Sequence, residues 1–258
     1  MSSGYPDDEP LDSRWRLWVS MFRFLEGVSF IRDPVTALLH PFSFRQGENI
    51  KSRIESARFV ARLSRDVARC ATRWEVMEWS VRHSTSSGLF LEFGVATGKT
   101  IHLMARLLSE RQIAAPVFGF DSFGGLPEAW RRGIPAGTFA RDTPPPVASN
   151  IQLVIGLFQD TLGPFLETHP GGVSLVHIDS DLYSSAVFVL KTLARFGRLV
   201  EGTLILFDEL FNYPNWTIGG EYKALSEAFP TSELDISIAA IVPVDQQVVV
   251  RLERTKRD

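Results

Sequence analysis

The sequence predicts an α/β domain built on a doubly wound, mostly parallel sheet of seven strands, preceded by a helical extension. Three observations carry that expectation. Beyond Gly88, short apolar runs alternate with helical stretches, the pattern of strands joined by crossover helices. The first run, Leu89–Phe93, enters a small-residue turn, Gly94-Val95-Ala96-Thr97-Gly98, directly ahead of a helix starting near Lys99. Two later runs, Leu175–Ile178 and Leu204–Phe207, each end in paired acids, where strands of such sheets present ligand-binding groups.

The rest of the chain is consistent with one such domain. At 258 residues, 45% hydrophobic and 22% charged, it has enough apolar material for a substantial core. A formal net charge of -3 provides no global field for nucleic acid or an anionic membrane, which favours a small-molecule partner. The single cysteine, Cys70, has no internal disulfide partner and no zinc-type cluster to join, and a reducing cytoplasm fits it. The N-terminus lacks an apolar signal core and no run is long enough to span a bilayer, so a soluble, cytoplasmic protein is expected.

In chain order, residues 1–12 are polar and proline-containing and read as a disordered tail. Residues 13–80 form the helical extension. In its first helix Trp15, Trp18, Val19, Phe22 and Leu25 recur at helical spacing, a surface suited to capping the core, to pairing two subunits or to a membrane interface. A second helix is expected from about Glu48 to Trp79, with Phe59, Leu63, Val67 and Cys70 on one face. Along another run Arg58, Arg62, Arg65, Arg69 and Arg73, a solvated stripe or a site for an anionic partner. Residues 81–258 are the α/β domain. Its strands are expected near Leu89–Phe93, Val117–Phe120, Ile151–Ile155, Ser174–Ile178, Thr203–Phe207, Leu234–Ala240 and Gln247–Leu252, the last two as a closing antiparallel pair.

The turn after the first strand has the chemistry of a cofactor site. Its small residues let backbone approach a ligand, and the following helix offers free N–H groups to a carboxylate. Asp121, 27 residues beyond Gly94, ends the second strand where a carboxylate can accept from both hydroxyls of a ribose. Glu92, just before the turn, suits a ligand that carries an amino group. An amino acid joined to a nucleoside meets all three demands. Two rival motifs fit less well. A dinucleotide fingerprint needs a glycine where Ala96 stands, and a P-loop ending in Gly98-Lys99-Thr100 needs its first glycine at Phe93.

Taken together, LEFGVATGKT, FGFDSFGGLPE, HIDSDLY and FDEL, in this order between Leu89 and Phe229, resemble the macrocin O-methyltransferase (TylF-type) family of sugar O-methyltransferases, within the class I S-adenosylmethionine-dependent methyltransferases. The resemblance implies the Rossmann-like fold of that class. It also implies S-adenosylmethionine on Gly94, Val95, Ala96, Thr97 and Gly98, with Glu92 near the methionine amine, Asp121 on the ribose, and Thr100 and Ser122 beside them.

The acids after the later strands, Asp179, Asp181, Asp208 and Glu209, converge on the switch point of the sheet. Carboxylates in one cleft repel one another unless protonated or bridged, and oxygen donors suit Mg²⁺ or a similar hard cation. The same residues at strand ends can instead be plain caps of neighbouring helices. The resemblance assigns Asp179, Asp208 and Glu209 to the metal and Asp181 to the role of general base, with Glu209 standing where that family usually has aspartate. His177, inside a strand, reads as a packed residue rather than a base.

Residues 127–150 are rich in Trp, Arg, Gly and Pro, and so long a stretch without periodicity reads as a lid or as disorder. Trp130 offers a stacking surface, and Arg131, Arg132 and Arg141 suit an anionic or polyhydroxyl substrate. Tyr213 and Trp216, just after the acidic pair, are expected to form another wall of the cleft. The reading is an O-methyltransferase acting on a hydroxyl of a sugar or glycosylated metabolite with Mg²⁺ assistance. A phosphotransferase with a degenerate P-loop and a non-catalytic ligand-binding protein are the alternatives.

Overall fold

In the computed structural model, which describes residues 50–131, 133–229 and 234–255, the chain runs α1 (Ile50–Arg62), β1 (Ala68–Arg69), α2 (Arg73–His83), β2 (Leu89–Phe93), α3 (Lys99–Glu110), β3 (Val117–Asp121), β4 (Ile151–Ile155), α4 (Phe158–Thr168), β5 (Val173–Ile178), α5 (Tyr183–Arg195), β6 (Leu204–Phe207), a single 3-10 turn at Trp216–Ile218, α6 (Gly220–Ala228), β7 (Leu234–Ile241) and β8 (Val248–Arg254). The expected tail, the Trp15–Leu25 helix and any subunit contact through it lie outside the described residues.

The sheet has the order β1-β7-β8-β6-β5-β2-β3-β4. Every pairing is parallel except those of β8, which runs antiparallel to β6 and β7. All seven expected strands are present, and the two-residue β1 adds an eighth at one edge. From β2 the chain steps outward through β3 and β4, and from β5 it steps the other way through β6. The ends of β2 and β5 therefore flank the switch point, where a crevice opens outside the carboxyl ends of the strands.

Period-two alternation decides what each sheet face carries. Leu89, Leu91, Phe93, Phe118, Phe120, Val176, Ile178, Ile205 and Phe207 point to one face and pack with residues of α4, α5 and α6. Phe90, Val117, Leu175, Leu204, Leu206 and Val249 point to the other and pack with Val76, Met77 and Val81 of α2 and Ile101, Met104 and Leu108 of α3. Glu92 and His177 fall on this second face and are register partners across β2 and β5. A polar pair thus sits inside an apolar layer, close to the switch point.

The single helix expected over residues 48–79 is instead two helices separated by β1. The chain leaves α1 through a turn in which the Val67 N–H donates to the Ser64 carbonyl, and Ala68 and Arg69 then pair with Ala240 and Ile241. Thr72 restarts the helix: its hydroxyl accepts from the Glu75 N–H at 3.1 Å, and the Glu75 carboxylate accepts from the Ala71 N–H at 2.9 Å. The sequence Thr72-Arg73-Trp74-Glu75 is a capping-box pattern, the local signal that overrides the apolar periodicity. Two consequences follow. Phe59 and Cys70 belong to opposite sides of the sheet, and the five arginines do not share a helix face.

Candidate active site

The turn between β2 and α3 is fixed by backbone packing. Gly94 has φ 94°, and a Cβ there would lie 1.8 Å from the Asp179 carbonyl oxygen, so only glycine lets the turn rest on the end of β5. Ala96 also adopts a left-handed conformation, φ 44°, so alanine follows the path a glycine would take at some cost in strain. Gly98, φ 81°, caps α3, and Ala96 and Thr97 are exposed above it. The Asp121 carboxylate ties the turn together: one oxygen accepts from the Val95 and Ala96 N–H groups, both at 2.9 Å, and the other accepts from the Phe123 N–H at 2.8 Å. Amides that a P-loop would turn towards phosphate are thus committed to a carboxylate. Asp121 still has lone-pair capacity for a hydroxyl donor. The neighbouring Ser122 hydroxyl accepts from the Gly124 N–H.

Glu92 lies beneath the turn and is fully buried. Its oxygens accept from the Thr100 hydroxyl at 2.9 Å and meet His177 Nδ1 at 3.0 Å. The carboxylate expected to meet a ligand's amino group is thus engaged inside the protein, where it locks α3 and β5 to β2. His177 is packed, as its alternation within the strand predicts. Burial opposes its protonation, yet the hydrogen bond and charge of Glu92, with Asp179 and Asp208 close by, raise its pKa above the ordinary histidine value.

The four expected acids are brought together, and the structure adds a fifth, Glu221, in the first turn of α6. Glu221 is 1% exposed, and its carboxylate accepts from the Glu209 N–H at 2.9 Å. Burial, then the neighbouring acids, raises the pKa of Asp179 well above the usual aspartate value and pushes Asp181 up to about 7. Burial likewise raises Glu209 and Glu221 well above the ordinary glutamate range. Asp181 sits at φ 60°, a left-handed position that aspartate tolerates and that holds its carboxyl in the cluster.

Two arginines supply counter-charge. Arg73, the first residue of α2, reaches Asp208 with Nη2 2.5 Å from Oδ2, while Gln247 donates to Asp208 Oδ1 at 3.3 Å. The sequence places Arg73 on a stripe that is either solvated or a site for an anionic partner, and does not reveal this contact. Arg131 lies 3.4 Å from Glu209 and stacks over the rings of Trp130, 3.9 Å from its centroid, and Tyr213, 4.4 Å from its centroid. Arg131, Trp130 and Tyr213 thus meet at the acids. Arg141 is exposed, and Arg132 lies outside the described residues. Trp216 corrects the expectation of a cleft wall: it is 2% exposed and packs against Phe59, Phe211 and Tyr222. Phe59 of α1, far away in sequence, supplies one of these contacts.

Among its described residues the 122–150 stretch has no helix or strand, but it is tied down. Leu126 exchanges backbone hydrogen bonds with Gly137 and Thr138, the Arg141 N–H donates to the Phe123 carbonyl, and Ser184 donates to Glu128 at 2.6 Å. Arg131 adds a fastening at the acids themselves.

For a divalent cation, His177, Asp179 and Asp208 present one ligand atom each, all within 4.8 Å of one another. Two carboxylates and an imidazole suit such an ion, and the raised Asp179 pKa marks a cluster short of positive charge. Glu209, the third ligand implied by resemblance, is not in this group; its side chain turns to Arg131 and Asp181. The longer glutamate side chain and the arginine beside it account for the difference.

Residues 91–210, which hold the turn, Asp121 and the acids up to Glu209, match the family model described as a methyltransferase domain. No curated protein matches the chain in sequence. Among solved structures, CalS11, described as a calicheamicin methyltransferase, aligns at 20% identity over 96% of this chain and 99% of its own, with a TM-score of 0.56. The O-methyltransferase NovP aligns at 18% identity over 70% of this chain and 80% of its own, with a TM-score of 0.50. At these identities the likeness is one of fold. Over residues 91–210 the chain carries a methyltransferase domain, in a fold that it shares with solved methyltransferases.

Proposed function

We propose that the enzyme methylates a hydroxyl of a small-molecule acceptor, a sugar or glycosylated metabolite, with assistance from a divalent cation such as Mg²⁺. The observation that carries this reading is Asp181, a carboxyl raised to about 7 at the mouth of the switch point, beside Asp208 and within reach of Glu209. A carboxylate of that basicity accepts a hydroxyl proton efficiently near neutral pH. The motif resemblance and the description of NovP as an O-methyltransferase agree with an oxygen acceptor.

Bound S-adenosylmethionine supplies a methyl group on a sulfonium, already a strong electrophile, so the protein mainly has to align an oxygen and remove its proton. Gly94 to Gly98 shape the cofactor turn, with Thr100 and Ser122 beside it and Asp121 placed for the ribose. Glu92 acts from below by fixing that turn. Asp179 and Asp208 would hold the cation, with His177 or Glu209 as a further ligand, and the cation would lower the pKa of the acceptor hydroxyl. Asp181 takes the proton. Trp130, Arg131 and Tyr213 border the acids and would contact the acceptor, whose hydroxyls suit the guanidinium and whose ring faces suit the aromatics.

The test is calorimetry with S-adenosylmethionine, followed by a glycoside screen for methyl transfer with Mg²⁺ and with EDTA. Methyl transfer to a hydroxyl that is lost in EDTA, and lost in Asp181→Asn at unchanged cofactor affinity, is the expected result. Transfer to nitrogen or carbon acceptors alone would overturn the acceptor class, and full activity in EDTA would overturn the metal.

A further inference from the structure

We infer that Arg73 is a resident counter-ion of Asp208, one that a divalent cation must displace, and that Arg73 therefore sets how tightly this site takes the metal. The inference rests on the divalent-cation reading above and adds a residue that neither the motifs nor the cluster of acids points to.

The geometry is built, not incidental. The Thr72–Glu75 capping box fixes where α2 begins and puts Arg73 at its first position. Val76, Met77 and Val81 then seat α2 on the sheet face that carries Glu92 and His177. From there the guanidinium reaches Asp208 at 2.5 Å, and Gln247 holds the other oxygen of the same carboxylate. The Asp208 side chain is 7% exposed and that of Arg73 is 35% exposed. The acid is therefore held in the interior, while the arginine is partly open to solvent.

Asp208 is also one of the three residues whose ligand atoms lie within 4.8 Å of one another. A cation shared by Asp179 and Asp208 would stand next to a guanidinium that is positively charged at every working pH. Like charges that close repel, and both compete for the same oxygens. Arg73 compensates the acids when no metal is bound, at the expense of affinity when one arrives. Removing its charge deepens the negative potential at Asp179 and Asp208 and frees one of the Asp208 oxygens.

The experiment is titration of the full chain with Mn²⁺, followed by the electron paramagnetic resonance signal of the free ion, for wild type, Arg73→Met, Arg73→Gln and Arg73→Lys. S-adenosylmethionine binding by calorimetry serves as the check that each variant is folded. Loss of the charge in Arg73→Met or Arg73→Gln is expected to tighten Mn²⁺ by about tenfold, equivalent to about 1.4 kcal/mol. Arg73→Lys, which keeps the charge, should stay closer to wild type. Equal or weaker Mn²⁺ binding in both neutral variants overturns the inference while leaving the metal reading intact. Absence of Mn²⁺ binding in every folded variant overturns both, and the methyltransferase assignment then stands on cofactor binding alone.

Discussion

Replacing Gly94 with alanine should damage this protein more than any other single methyl group added at a glycine of open conformation. Two costs add. Alanine at a left-handed φ loses about 1–2 kcal/mol, and Gly94 has φ 94°. The new Cβ would also lie 1.8 Å from the Asp179 carbonyl oxygen and 2.8 Å from its carbon, both backbone atoms that cannot rotate away. Overpacking of that kind costs about 1–3 kcal/mol more. The sum, about 2–5 kcal/mol, is a large part of the roughly 5–15 kcal/mol that holds a domain folded. Gly197→Ala is the control, because Gly197 has φ 64° and nothing within 4 Å of an added Cβ, so it carries the conformational cost alone. Urea unfolding of the two variants, analysed by linear extrapolation, isolates the contact between the turn and β5. If Gly94→Ala lost no more stability than Gly197→Ala, the turn would not rest on Asp179, and the coupling between the β2–α3 turn and the acid cluster would fail.

Further outcomes follow from the same structure. Asp179, Asp181, Glu209 and Glu221 are raised in the folded state, so the folded chain binds more protons than the unfolded chain between their ordinary and raised values. Their contribution is therefore present at low pH and is lost as pH rises, for Asp181 between 3.8 and about 7. In EDTA the urea midpoint should fall from about pH 5 to about pH 8; a midpoint that rose over that range would contradict the cluster's electrostatics. Thr72→Ala removes the cap of α2 and should lower stability by about 1 kcal/mol, measured by urea unfolding; an unchanged value would mean that the cap does not decide where α2 begins. Trp216→Ala opens a cavity among Phe59, Phe211 and Tyr222 and should cost about 3–5 kcal/mol. A variant of full stability with an altered acceptor KM would instead return Trp216 to the cleft.

Much of the fold is written locally and was legible for that reason. The apolar runs that became β2, β3, β5 and β6 mark themselves by composition and by the turns that bound them, because strands buried on both faces are mostly apolar. The β2–α3 turn and the acids stood out as motifs, because the ends of strands at a switch point are where such residues have chemical use. The break in the N-terminal helix was legible in principle, in the capping box at Thr72. Apolar spacing over residues 59–70 masked it, since β1 is defined by pairing with a partner about 170 residues away.

What the tertiary structure alone decided concerns partners. Glu92 reads as a ligand contact in the sequence, yet the register of β2 on β5 gives it His177, and the packing of α3 gives it Thr100. Asp208 reads as one acid among four, and the placement of α2 gives it Arg73. Trp216 reads as a cleft wall, yet it is buried among Phe59, Phe211 and Tyr222. The sequence by itself determined the α/β architecture, the turn after β2 and the identity of the acids, because these depend on residues adjacent along the chain. Which charge meets which acid, and which aromatic is closed off, depends on contacts between segments far apart in sequence, and only the packed chain brings them within the few ångströms over which hydrogen bonds and ion pairs act.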